Sequence, residues 1–358
     1  MKIAHVAPLY ESVPPKLYGG TERVVSYLTE ELIDLGHDVT LFASGDSKTR
    51  ATLISTLEVA IRLNPQHEDQ LAPHIVQLQN LIEHAKDFDI IHFHNDYLHY
   101  PISENISIPH LTTLHGKLNI PELQLVYNTF KKQPVVSISN DQRIPVPQAN
   151  FIGTVYHGLP IDLHKAGNGD GGYLAFLGRF SPEKGVKEAI NWASLAGIPL
   201  KIAAKIDKAD EKYFHSEIKP LLNNPIVEFI GEINEKEKTD FLGKAKALLF
   251  PIDWNEPFGL VLIEAMACGT PVIAYGKGSV PEVIENGKSG YIVGSTSEAV
   301  RMIHQLHTIP REKVRKTFEE RFTSKRMAKD YLKLYEMLCG QERNINKEGY
   351  LSNKTAGQ

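Results

Sequence analysis

Short apolar runs rich in β-branched residues alternate with longer segments whose apolar residues recur every three or four positions, and this alternation leaves few folds open. Residues 2–7 and 38–43 read as strands around a helix at 21–35, in which Val24, Val25, Leu28, Leu32 and Leu35 share one face. Thr21 stands near its N-cap and Gly36 ends it. Strand, helix, strand is a βαβ unit. The pattern continues with a helix at 72–85 and strands at 90–93, 110–114 and 135–138. Near-continuous apolar strands separated by helices imply a parallel sheet covered on both faces.

A second series opens at 173–178, with further strands at 200–204, 227–230, 247–250 and 271–274 and helices at 182–195, 235–245 and 258–267. At roughly 100–200 residues per domain, 358 residues make two domains. Between the series, residues 163–172 end in Gly-Asn-Gly-Asp-Gly-Gly, a composition fit for a flexible linker and hinge. The expected division is residues 1–165 and 173–325, each Rossmann-like, then a helix at 326–340 and a polar, disordered tail at 341–358. The sequon Asn353-Lys354-Thr355 in that tail reads as chance. Ligands of open parallel sheets sit at the carboxyl ends of the strands, which places function in the cleft expected between the two domains.

Composition narrows the classes. A net charge of -4 lacks the clustered cations that grip a phosphate backbone, which excludes nucleic acid as a partner. Two cysteines, Cys268 and Cys339, make no disulfide framework and suit a reducing compartment. The opening run is too short for a signal peptide and no stretch reaches 18 uncharged apolar residues, so the expectation is a soluble, cytoplasmic protein. Twelve of the 15 histidines precede residue 165, a hint of unequal work between the halves.

The most informative stretch is Glu256-Pro257-Phe258-Gly259-Leu260-Val261-Leu262-Ile263-Glu264, closed by Gly269. Pro257 suits a first helical position and Gly269 the residue past the end, so a helix would present free N–H groups to an anion. On that helix Glu256 and Glu264 stand about 12 Å apart, too far to share a proton. They suit a ligand with hydroxyls on either side of a diphosphate, such as a nucleotide sugar. Glu264, amid Leu262, Ile263, Ala265 and Met266, needs a partner in any case.

In Gly178-Arg179-Phe180-Ser181-Pro182-Glu183-Lys184-Gly185, Ser181 can cap a helix beginning at Pro182, with Arg179 and Lys184 flanking its start. Two cations there repel unless an anion lies between them, and diphosphate is the obvious one. In the first half, Tyr18-Gly19-Gly20-Thr21 lets backbone approach a phosphate or sugar, and the Rossmann fingerprint Gly-x-Gly-x-x-Gly is absent, which counts against a nicotinamide enzyme. His115, in Thr113-Leu114-His115-Gly116, is the histidine best placed at a strand end. His92 and His94 share one face of a strand without an evident third ligand, so no metal is expected.

Taken in order, these motifs resemble the retaining glycosyltransferases of family 4, with the GT-B fold, over about residues 1–338. Glu256 and Glu264 match that family's E-x7-E motif, Arg179 and Lys184 its phosphate-binding pair, and Gly19-Gly20 and His115-Gly116 its N-domain elements. The resemblance implies an α/β architecture of two parallel-sheet domains facing across a cleft. The first would receive the acceptor and the second would bind the donor, with the last helix crossing back. Arg179 and Lys184 would stabilise the leaving nucleoside diphosphate, helped by the backbone at Leu260 and Val261. Glu256, with the Phe258 and Gly259 backbone, would hold the sugar, Glu264 the ribose, and His115 would contact the sugar near its 6-hydroxyl.

The activity so implied moves a hexose, from a UDP-sugar in preference to a GDP-sugar, to a saccharide or glycoconjugate acceptor with retention, without metal or cofactor, in polysaccharide or glycoconjugate synthesis. The acceptor would meet residues 9–18 and 115–133, and Lys131-Lys132 is the one basic pair offered for weak peripheral membrane association. Where glycogen-synthase relatives carry an Asp after the His-x-His strand, this chain has Asn95, followed by Asp96. Two other readings stay open. A GT-B sugar-nucleotide epimerase would act without an acceptor, and a non-catalytic binding subunit could keep the fold while losing the phosphate pair, against which the presence of Arg179, Lys184, Glu256 and Glu264 together argues.

Overall fold

The computed structural model describes residues 1–16, 19–66 and 68–355, with 341–355 described by backbone alone. Tyr18, read into the first loop, and residues 356–358 of the expected tail lie outside the described residues. The chain divides into two compact units. One comprises Met1–Ile138, Pro145–Tyr156 and the chain from Ser324 on; the other comprises Ser139–Ile144 and His157–Thr323.

The first unit runs β1 (Lys2–Val6), α1 (Gly20–Asp34), β2 (Asp38–Ala43), β3 (Thr52–Ser55), α2 (Ala72–His84), β4 (Ile90–Phe93), α3 (Tyr100–Ser103), β5 (His110–Thr113), α4 (Pro121–Thr129), β6 (Pro134–Ser137) and β7 (Asn150–Thr154). Its seven strands lie in the order β3-β2-β1-β4-β5-β6-β7, with every pairing parallel. Val24, Val25, Leu28 and Leu32 bury one face of α1, as their spacing requires. The helix stops where Gly36 takes φ 84°, a conformation open to glycine, so that His37 N–H can bond back to the Leu32 carbonyl at 3.0 Å.

The second unit runs β8 (Leu174–Arg179), α5 (Val186–Ala196), β9 (Leu200–Lys205), α6 (Glu211–Tyr213), β10 (Val227–Gly231), α7 (Glu235–Lys244), β11 (Leu248–Phe250), α8 (Leu260–Ala267), β12 (Val272–Tyr275), α9 (Val280–Val283), β13 (Gly290–Val293), α10 (Thr296–His304) and α11 (Arg311–Arg321). Its parallel strands lie in the order β10-β9-β8-β11-β12-β13. Trp192, Phe176, Ile202 and Ile273 anchor a core between sheet and helices. Both units are thus Rossmann-like. Among the described residues no helix is long and apolar enough to cross a membrane.

The last helix, α12 (Ser324–Thr355), belongs to the first unit. It supplies Tyr331 and Tyr335 to a polar core. His92 Nδ1 meets Tyr335 Oη at 2.7 Å and His92 Nε2 meets Thr113 Oγ1 at 2.7 Å, while Tyr331 Oη reaches the same threonine at 2.8 Å. His5 Nδ1 pairs with Thr29 Oγ1 at 2.8 Å. His92 and His94 therefore share their strand face with His5, the third imidazole that sequence spacing did not show. Helix α12 also covers much of the stretch read as a disordered tail, and the side chains of Asn353 and Thr355 are outside the described residues.

The glycine-rich stretch at 163–172 differs from a loose linker. Gly167 N–H bonds the Cys268 carbonyl at 3.0 Å, Gly169 N–H that of Gly243 at 3.0 Å and Gly171 N–H that of Lys244 at 2.9 Å. Arg311 clamps it with Nε donating to the Gly167 carbonyl at 2.8 Å, while its other nitrogens reach the carbonyls of Ala245, Gly243 and Cys268. A Cβ on Gly167 would overlap the Gly243 backbone, so glycine serves close packing here. After the short excursion of Ser139–Ile144 into the second unit, the chain passes to that unit at Tyr156/His157 and returns at Thr323/Ser324.

Burial holds His5 down at about 3 and His92 and His99 well below the usual imidazole value of 6.5. The unfolded chain binds protons below pH 6.5 that these folded imidazoles refuse, so each removes stability as pH falls through that value. His99, stacked on Phe93 and bonded to Ser103 and Thr112, isolates the effect. Between pH 7.5 and 5.5 the wild type should lose about 1 kcal/mol more unfolding free energy than His99→Gln. Denaturant titration at the two pH values checks this, and equal losses would mean that folded His99 titrates normally.

Candidate active site

Strand β8 ends at Arg179, and the chain turns through Pro182–Lys184 before α5. The expected helix at 182–195 is corrected here. Ser181 makes no cap, and Gly185 takes φ 72°, which lets the turn lie against the Pro251 carbonyl where a Cβ would overlap it. Lys184 thus sits on a tight turn before the helix, at the carboxyl end of the sheet.

Beyond β11 the loop 251–259 carries Trp254 and Glu256. The Glu256 carboxylate Oε2 accepts from the Lys184 ammonium and, at 3.1 Å, from Trp254 Nε1, while the ammonium lies 5.0 Å from the Trp254 ring centroid. Glu256 is buried, which strengthens this charge pair over a surface one. Its backbone is fixed as well. The Ser279 N–H donates to the Glu256 carbonyl at 3.0 Å, and Ser279 Oγ donates to the Phe258 carbonyl at 2.8 Å.

Helix α8 starts at Leu260, with Gly259 at φ 79° as its N-cap, so Pro257 is not its first residue. Residues 257–259 are not helical, and the 12 Å separation expected from helical rise does not apply. Free N–H groups of Leu260 and Val261 still open this helix, Gly269 still follows its end at φ 68°, and Glu264 lies in its middle, buried. Glu264 is not in contact with Glu256. Its Oε1 accepts from Lys238 Nζ at 2.7 Å.

Arg179 and Lys184 were expected to repel each other unless an anion lay between them. The structure corrects this: Lys184 has Glu256, and the Arg179 guanidinium has Glu183 at 3.2 Å, Asp207 at 3.6 Å and Asp210 at 3.8 Å. Both cations are neutralised by carboxylates of the chain itself, so charge balance alone does not call for a ligand.

In the first unit, Gly19 precedes Gly20, the first residue of α1, and a Cβ on Gly19 would lie 2.7 Å from Pro15 Cβ. Glycine is required there for packing before any ligand is considered. His115 follows β5, and its Nε2 meets His94 Nδ1 at 2.9 Å, which fixes the two tautomers against each other. The protein around His115 holds it at about 3, so its imidazole is neutral. Trp254, Lys238 and His94 were not singled out from the sequence for these contacts. Trp254 had a local signal, two residues before Glu256; Lys238, 26 residues before Glu264 on a charged helix, had none.

Two parallel sheets of this order are those of the GT-B fold, and comparison with known proteins identifies the class as a glycosyltransferase. Residues 164–323 match the model of glycosyl transferases group 1 and residues 18–139 that of glycosyltransferase family 4. An uncharacterized glycosyltransferase of Methanocaldococcus jannaschii is 26% identical over 280 residues, 73% of this chain and 78% of that one. A glycosyltransferase involved in avilamycin A biosynthesis superposes with a TM-score of 0.74 at 23% identity, over 95% of this chain and 98% of the other. Anabaena HepE in complex with UDP-glucose superposes with a TM-score of 0.70 at 20% identity, over 94% and 100%. The chain belongs to the family 4 glycosyltransferases.

Gly278, at φ 59°, lies so close to Glu256 that a Cβ would overlap its main-chain nitrogen and oxygen. Gly278→Ala must displace Glu256, and kcat/KM for transfer should fall at least about tenfold. Steady-state rates beside a thermal melt check this; unchanged kcat/KM would show that the placement of Glu256 is immaterial.

Proposed function

We propose that this chain is a retaining hexosyltransferase that takes a UDP-hexose as donor and a saccharide or glycoconjugate as acceptor, without metal, in polysaccharide or glycoconjugate synthesis. The observation that carries the reading is the Lys184–Glu256–Trp254 arrangement at the strand ends of the second unit. A nucleotide sugar offers each member of that ion pair a better partner: phosphate oxygens to the ammonium, sugar hydroxyls to the carboxylate. The UDP-glucose bound to HepE supports the choice of nucleotide.

As the C1–O bond to phosphate breaks, negative charge grows on the diphosphate. Arg179, Lys184 and the free N–H groups of Leu260 and Val261 meet it. Glu256, with the Phe258 and Gly259 backbone, orients the sugar, and Glu264 accepts from the ribose. Neutral His115 donates or accepts at the sugar's 6-hydroxyl, and Gly19 and Gly20 allow close approach of backbone. The acceptor oxygen attacks C1 on the face the phosphate leaves, and its proton passes to a phosphate oxygen, so configuration is kept without a carboxylate nucleophile.

Calorimetric titration with UDP-, GDP- and ADP-glucose, followed by donor hydrolysis with and without chelator, tests the reading. Binding should favour UDP-glucose, chelator should leave hydrolysis unchanged, and Lys184→Ala should cut kcat/KM at least about 100-fold. Binding of none of the three donors, or full activity in Lys184→Ala, overturns it.

A further inference from the structure

Glu264 stands in an otherwise apolar helix with 4% of its surface exposed, and an ionised carboxylate there requires a cation. Lys238, in the second turn of α7, supplies it: Nζ is 2.7 Å from Glu264 Oε1 and 3.3 Å from Glu235 Oε2. Glu235, the first residue of α7, also lies 3.2 Å from His164 Nε2, and His164 Nδ1 meets Thr239 Oγ1 at 2.9 Å. His164, Glu235 and Glu264 have the look of a metal ligand set. The ammonium already bonds both carboxylates, so the cluster carries its own cation. Lys238 engages Oε1 alone, and no other bond to this carboxylate is made among the described residues. Oε2 keeps its lone pairs for another donor.

We propose that Lys238 is a positioning residue that holds Glu264 turned so that Oε2 receives the ribose 2′-hydroxyl, making the site selective for ribonucleotides over 2′-deoxyribonucleotides. This rests on the donor reading of the second unit. The ammonium fixes one oxygen and neutralises the carboxylate, and Glu235, itself beside His164, keeps the ammonium from following the ligand. A hydroxyl then meets a charged acceptor whose orientation is set in advance, while a 2′-deoxy sugar leaves that acceptor unmatched. Lys238 touches no reacting atom, so its loss should be felt in ground-state binding.

The test titrates the full-length protein with whichever of UDP, GDP and ADP binds most tightly and with its 2′-deoxy counterpart. The wild type should prefer the ribonucleotide at least about tenfold. Lys238→Met should weaken ribonucleotide binding at least about tenfold and erase the preference, raising donor KM with kcat within about twofold. Lys238→Arg should restore part of the preference. If Lys238→Met melts well below the wild type, Lys238→Gln replaces it with the same expectations. A wild type without preference, or a variant that keeps it in full, overturns the role of Lys238 and leaves the donor reading standing. Failure of UDP, GDP and ADP, and of their glucose conjugates, to bind the wild type removes the donor reading itself.

Discussion

The contact between the Lys184 ammonium and the Glu256 carboxylate is what the strand-end loops of the second unit are built around. Both groups are largely buried, and separating them would leave an uncompensated charge on each side. The surroundings therefore hold them in place by backbone, not by side-chain packing alone. Gly185 brings the turn of Lys184 against Pro251, Gly278 brings the next loop against Glu256, and Ser279 ties both the Glu256 and Phe258 carbonyls. Two glycines at positive φ set the position of one ion pair.

The first unit solves a different problem with different chemistry. Its strand interior holds imidazoles where a parallel sheet ordinarily holds aliphatic side chains, and each needs hydrogen-bond partners. Threonines on α1 and β5 supply some, tyrosines from α12 supply others, and His94 pairs with His115. This gives a reason for the last helix to belong to the first unit: without Tyr335 and Tyr331 the buried His92 and Thr113 would lose partners they cannot replace with water. Three of the histidines that enrich the first half, His5, His92 and His94, cluster in this core. His115 stands at its edge, joined to it through His94.

What was legible in the sequence follows from coverage. Strands β1, β4, β8 and β11 lie inside their sheets and showed as apolar runs. β3, β7 and β13 lie on sheet edges and were missed, since an edge strand such as Asn150–Thr154 is only half covered and need not be apolar throughout. Helix α11, Arg-Glu-Lys-Val-Arg-Lys-Thr-Phe-Glu-Glu-Arg, buries Val314, Thr317 and Phe318, too few to mark a face among its charges. At the site, Glu256, Glu264, Arg179 and Lys184 were found because residue type and spacing carried the signal. The helix starts at 182 and 257 were misplaced, because proline at a first turn is a common signal, whereas Gly185 acts through a contact with Pro251 that no local pattern shows and Gly259 through its φ of 79°. The partners Lys238 and Asp207 were invisible for the same reason: a salt bridge between distant elements has no periodicity.

The internal neutralisation of Arg179 and Lys184 changes how ligand binding here should be understood. If a diphosphate binds here as proposed, it must compete with Glu256, Glu183, Asp207 and Asp210 for the same cations. Coulomb attraction between ligand and site is thus offset by the loss of existing pairs, and net affinity depends on what the released carboxylates do next. Glu256 can turn to a sugar hydroxyl, which makes the exchange favourable when sugar and diphosphate arrive as one molecule. A free diphosphate displaces Glu256 and gives it nothing. On the proposed function the ion pair would act as a coincidence requirement that favours the intact donor over either of its halves, with the discrimination arising from two side chains that pair with each other.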